Sequence, residues 1–62
     1  SLLLYKPFTI GDEVSIKGVT GIVSKIDTRY TTLDSFEESF LIPNSEIITA
    51  TITFKKKRPL EK

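Results

Sequence analysis

Apolar and polar residues alternate in short runs along this chain, and turn-forming residues separate the runs. Val14 and Ile16 alternate with Glu13, Ser15 and Lys17, the two-residue period of a strand with one buried face. This predicts a first strand over 13–17, and Gly18 permits the turn that follows. A second strand is predicted over 19–27, with Val19, Gly21 and Val23 on one face. Ile26 falls out of step with them, three residues after Val23. A bulge near Ser24-Lys25 would return it to the inner face and bend the strand sharply. Gly21 has no side chain, so another backbone or a large side chain can approach there. The third strand is expected over 28–33, with Tyr30 and Thr32 on one face and Thr31 and Leu33 on the other. A loop over 34–37 leads to a fourth strand over 38–42, with Phe40 and Ile42 inward and Leu41 outward. Pro43 stops it. Asn44-Ser45-Glu46-Ile47 reads as a single helical turn that Asn44 caps. A last strand over 49–54 alternates Thr49, Thr51 and Thr53 with Ala50, Ile52 and Phe54.

Upstream, 2–6 reads as the last turn of an arriving helix, ended by Pro7, which disfavours helical backbone at Lys6. Phe8 and Ile10 then point one way, and Gly11-Asp12 turns the chain. The organisation is thus a helix end or linker over 1–7, a β domain over 8–54 and a basic tail over 55–62. Val, Ile and Thr make up 19 of the 62 residues. They are stiff at χ1 and pack well on a pleated surface. Five short strands with a strongly bent second strand predict an all-β fold, a small antiparallel barrel of the Sm-like (SH3-like) kind. A chain of this size buries only about 60% of its unfolded surface. The chain begins at Ser1 and contains no Met, so it reads as a piece of something longer or as a chain whose initiator was trimmed.

Charge is distributed unevenly. Residues 1–54 sum to −3 and residues 55–62 to +4, where Lys55, Lys56, Lys57 and Arg58 sit together before Pro59. Two readings of that cluster stand: a solvated tail, or a contact with phosphate or anionic lipid. No apolar run approaches the roughly 20 residues of a membrane-spanning helix.

Catalytic chemistry is not expected, nor a cofactor or a metal. Cys and His are both absent, which removes disulfides, thiolate and imidazole ligands and the side chain that titrates near neutrality. The adjacent carboxylates Asp12-Glu13 and Glu37-Glu38 would point to opposite faces on a strand and could not share a proton. Gly18 and Gly21 form a G-x-x-G with no helix after it, which is a weak phosphate-loop signal. RNA binding is the stronger rival. Tyr30 and Phe36 could stack bases and Arg29 adjoins Tyr30, yet one Asn and no Gln leave few amides to read base edges. Phe36, between Ser35 and Glu37, suggests contact with a neighbour or a lipid.

Three separated strings carry a resemblance: Lys6-Pro7-Phe8-Thr9-Ile10-Gly11-Asp12-Glu13-Val14, then Ile16-Lys17-Gly18-Val19-Thr20-Gly21-Ile22-Val23, then Ile26, Arg29, Thr31-Thr32 and Ile42-Pro43-Asn44-Ser45. In order and spacing they resemble the middle β domain of the small-conductance mechanosensitive (MscS-type) channels, over about 6–54. The motif residues are Pro7, Phe8, Gly11, Asp12, Gly18, Gly21, Val23, Pro43 and Asn44. The resemblance implies that Pro7 breaks a pore-lining helix, Phe8 packs on the barrel, Gly11 allows a turn, Gly21 and Val23 line the core, and Pro43-Asn44 ends the fourth strand. It also implies an Sm-like barrel repeated in a homo-heptamer on the cytoplasmic side of the cell membrane, as the upper wall of a vestibule. Identical subunits would pair strand against strand, which gives outward Ile22, Leu41, Ile52 and Phe54 a role at the subunit interface. The gate and membrane contacts would belong to helices before Ser1, and a further domain would follow Lys62. No nucleic acid and no small-molecule substrate is expected as a partner; a free-standing RNA-binding module is the alternative. Two departures stand out. Asp34-Ser35-Phe36-Glu37-Glu38 replaces an Asp-Gly hairpin, so the loop should be longer and more irregular. Phe54 stands where many members have Asn.

Overall fold

The alternation of apolar and polar positions becomes five antiparallel strands in a computed structural model that describes residues 7–56. These are β1 (Glu13–Ile16), β2 (Val19–Ile26), β3 (Tyr30–Asp34), β4 (Ser39–Pro43) and β5 (Ile52–Phe54), with one helical turn, α1 (Asn44–Ile47), between β4 and β5. They form one sheet in the order β4-β3-β2-β1-β5, and each neighbouring pair is antiparallel. The readings at 2–6 and at Lys57 and Arg58 lie outside the described residues.

Within the strands the inward positions are those that the two-residue period marks, and Phe8 and Ile47 join them from outside the strands. Phe8, Val14, Ile16, Val23, Leu33, Ile42 and Ile47 are buried together, and Val19, Ile26, Phe40, Ala50 and Ile52 pack against them. Full burial of such a side chain is worth about 1.5–3 kcal/mol, so this small core carries the fold. Across β2 and β3 the register runs Val23 to Leu33, then Lys25 to Thr32, so Ser24 is the extra residue of a bulge. That bulge brings Ile26 back onto the core, as its spacing from Val23 requires.

The β1–β2 turn is Lys17-Gly18, and both residues have positive φ, 52° and 80°. That handedness matches the twist of a two-residue hairpin. Gly18 adopts it freely, whereas Lys17 does so at a cost of about 1–2 kcal/mol. The β3–β4 turn is longer, as the absence of Gly requires. The Ser35 amide donates to the Glu38 carbonyl at 2.7 Å, and the turn contains no left-handed residue.

Several expectations change in detail. β3 starts at Tyr30 and keeps Asp34, because the Asp27 carboxylate turns the chain just before it. β4 begins one residue later and includes Pro43, whose missing N–H is harmless at the end of an outer strand. β5 is cut to three residues, since the chain leaving α1 stays turned: the Ala50 amide donates back to the Ile47 carbonyl at 3.0 Å. Ile52 does not face outward. It pairs with Ile16 and packs on the core.

Candidate functional site

β4 and β5 are the outer strands of the sheet, and each has one strand partner among the described residues. Such edges present unpaired N–H and C=O groups. The same molecule exposes Ile22 (47%), Leu41 (61%) and Phe54 (45%). Ile22 stands opposite Glu13 and Asp34 on the outward face, and Leu41 stands opposite Thr32 on that face. Phe54 pairs with Val14, an inward position, but lies at the end of β5 where the core is open. Of the expected interface set, Ile52 alone is turned away from solvent.

The motif residues build the frame. Phe8 and Val23 are core residues, and Gly11 has a φ of 97°. The Gly11 amide donates to the Val23 carbonyl at 2.8 Å, and the Asp12 carboxylate accepts the Thr9 amide at 3.0 Å. The segment before β1 is thereby tied down onto β2. Gly21 is buried, and the Asp34 backbone crosses directly over it: a Cβ there would lie 2.8 Å from the Asp34 carbonyl oxygen.

Asn44 holds the other end of the sheet. It does not cap α1; Pro43 occupies the cap position without a side-chain bond. The Asn44 amide is buried instead. Its Oδ1 accepts from Thr31 Oγ1 at 2.7 Å, its Nδ2 donates to the Asp27 carbonyl at 2.7 Å, and its backbone N–H donates to the Arg29 carbonyl at 2.8 Å. One side chain therefore links the β2–β3 turn, β3 and α1. Asp27 finishes that turn by accepting the amides of Tyr30 at 2.7 Å and Arg29 at 3.0 Å. These bonds, Tyr30 first, hold its carboxyl below the ordinary value of 3.8, with help from the Lys25 charge and against partial desolvation. Sequence reasoning missed Thr31 and Asp27 as members of this node. The available signal was a solitary Asn directly after β4, together with a Thr, Thr31, on the same face of β3 as Leu33.

The remaining aromatic candidates are dispersed. Tyr30 opens β3 and Phe36 lies beyond its far end, separated by about 13 Å of strand and two further residues. They do not make one stacking face. Among the described residues no three acidic groups come together as a metal-binding set.

The family described as "Mechanosensitive ion channel, beta-domain" matches residues 1–53. This chain belongs to that family. The β domain is 43% identical over 49 residues to the miniconductance mechanosensitive channel MscM of Escherichia coli, a match that covers 77% of this chain and 4% of that protein. It is 40% identical over 52 residues to the small-conductance mechanosensitive channel MscMJ of Methanocaldococcus jannaschii, covering 82% of this chain and 15% of that protein. A cryo-EM structure of an Arabidopsis thaliana MSL1 variant superposes with a TM-score of 0.77 at 26% identity, over 92% of this chain and 22% of that one. The β domain thus spans a small fraction of each relative's length, and its fold is that of an MscS-type channel domain.

Proposed function

We propose that this β domain is a structural ring module of a tension-gated channel, without catalytic, gating or conducting work of its own. Identical subunits, seven in the intact channel, would stand side by side on the cytoplasmic face of the membrane, with β4 of one against β5 of the next. The pore and the lipid contacts would lie in segments outside 1–62. The observation that carries this reading is the pair of open edges combined with exposed Leu41, Ile22 and Phe54. β4 meeting β5 of a neighbour would satisfy both rows of backbone groups, and such head-to-tail contacts close into a ring when the rotation between neighbours closes. The channel names of the relatives support the same assignment. Ile52 leaves the proposed interface, because the core already occupies it. RNA binding has less support, since Tyr30, Arg29 and Phe36 do not share a face.

The test is to reconstitute the membrane protein that contains this domain in liposomes, record currents under applied tension, and weigh the particle by native mass spectrometry. The expected result is a heptamer with tension-activated currents, both lost when Leu41→Glu and Phe54→Glu are combined. A monomeric particle, or assembly and currents indifferent to both substitutions, refutes the ring role.

A further inference from the structure

Phe36 is 98% exposed at the tip of the β3–β4 turn, and exposed Glu37 and Glu38 follow it. Burying nothing within its own subunit, the ring is an apolar knob with an acidic flank. A complement lies toward the β5 side of the sheet, beyond Glu13 and Ile22, which also border the hollow beside Phe36. A concavity of about 500 Å³ opens between the start of β1 and the end of β5, lined by Ile22 and Phe54, by Lys55 and Lys56, and by Asp12 and Glu13. The Lys55 amide donates to the Glu13 carbonyl at 3.0 Å, which fixes the basic segment beside that opening. A cavity of about 150 Å³ already accepts benzene, so the space admits a phenyl ring.

We propose that the occupant is a second copy of this chain: Phe36 of one copy enters the concavity of the next, against Ile22 and Phe54, while Glu37 and Glu38 lie against Lys55 and Lys56. This rests on the ring reading above and specifies its direction. Antiparallel pairing of β4 with the neighbour's β5 brings residues just before Ser39 beside residues just after Phe54. Both carboxylates then meet both lysines. Parallel pairing instead carries the lysines toward Pro43 and α1, where the carboxylates of Glu46 and Asp27 are accompanied by the cations Arg29 and Lys25. Charge complementarity therefore selects the antiparallel arrangement, and like-charge contact disfavours the shifted ones. The knob leads into edge strand β4 and the concavity adjoins edge strand β5, so every copy offers one of each and the contact is head-to-tail. Asp12 and Glu13 on the far wall set the limit: the acidic flank fits only with its carboxylates turned to the lysine side.

The absence of Cys makes the test direct. The 62-residue chain carrying Glu37→Cys is mixed with the chain carrying Lys56→Cys at about 1 mM, the effective concentration that short linkers provide. After oxidation, the expected product is the mixed disulfide, well above either self-linked product, because bridging requires Cα atoms within about 7 Å. Phe36→Ser should lower its yield without changing the melting temperature. Glu38→Lys should lower it roughly tenfold, and Lys55→Glu on the partner should restore it. Cross-linking of Lys56→Cys to Ser45→Cys instead would overturn the knob and keep the ring. Absence of both mixed products, while the full channel still assembles as a heptamer, would do the same. Dominant Glu37→Cys self-linkage would indicate a two-fold dimer and overturn both.

Discussion

Gly21 offers the sharpest check on the packing. Replacing a strand glycine with Ala ordinarily stabilises, by roughly 0.5–1 kcal/mol, because the unfolded chain has less freedom to lose. Here the added Cβ would lie 2.8 Å from the Asp34 carbonyl oxygen, 3.0 Å from its carbon and 3.2 Å from its nitrogen. Ordinary Cα–H···O contacts between strands lie at about 3.3–3.6 Å, so the gap is short by about half an ångström. The neighbour is backbone, held by pairing of β3 with both β2 and β4, and cannot rotate away. Overpacking of this kind costs about 1–3 kcal/mol. The net expectation for Gly21→Ala is a loss of about 0.5–2 kcal/mol, with Gly21→Val worse. In a domain of this size 1 kcal/mol moves the melting temperature by about 4–8 °C. Urea titration with an unchanged slope and a lowered midpoint would support the reasoning. A midpoint at or above that of the parent chain would refute it.

Asn44→Ala should cost about 2–4 kcal/mol, since it leaves the Asp27 carbonyl and the Thr31 hydroxyl without their partner. A double-mutant cycle with Thr31→Val in urea should return a coupling of about 1 kcal/mol, and additivity would deny the bond an energetic role. Asp27 predicts a pH effect. Its folded value is depressed, so the stabilisation is complete above the unfolded value near 3.8 and is lost as pH falls through the lower folded value. Asp27→Asn should flatten that acid limb, and an NMR titration placing the Asp27 carboxyl at or above 3.8 would contradict the assignment.

Much of the sheet was legible from spacing. The step from Val23 to Ile26 showed the bulge, because a core residue at the wrong parity must be restored by an extra one. The Gly-free stretch after Leu33 argued against a two-residue turn with positive φ, and residues 35–38 turn without a left-handed residue. The misreadings share a cause. The pattern 49–54 alternates throughout, yet its first half is held in the turn after α1, where the Ala50 amide donates to the Ile47 carbonyl. Asn44 has the identity of a cap, but two long-range partners outcompete the local amides for it, and neither is visible in a linear pattern. Lys17 shows that hairpin closure between Ile16 and Val19 can impose a left-handed residue with no glycine at that place. At the proposed interface, exposure of Leu41 followed from parity, whereas the inward turn of Ile52 depends on its pairing with Ile16.

The pairing of β1 with β5 has a mechanical consequence. Glu13 begins one strand and Lys55 follows the other, and they are bonded neighbours, so the polypeptide enters and leaves at the same end of a ladder three residues long. A load drawing those two ends apart peels the rungs in succession, starting at Lys55, where a load along the strands would strain all of them together. The three-rung seam beside β5 is therefore loaded in the peeling direction, and a neighbour gripping that strand would reinforce it.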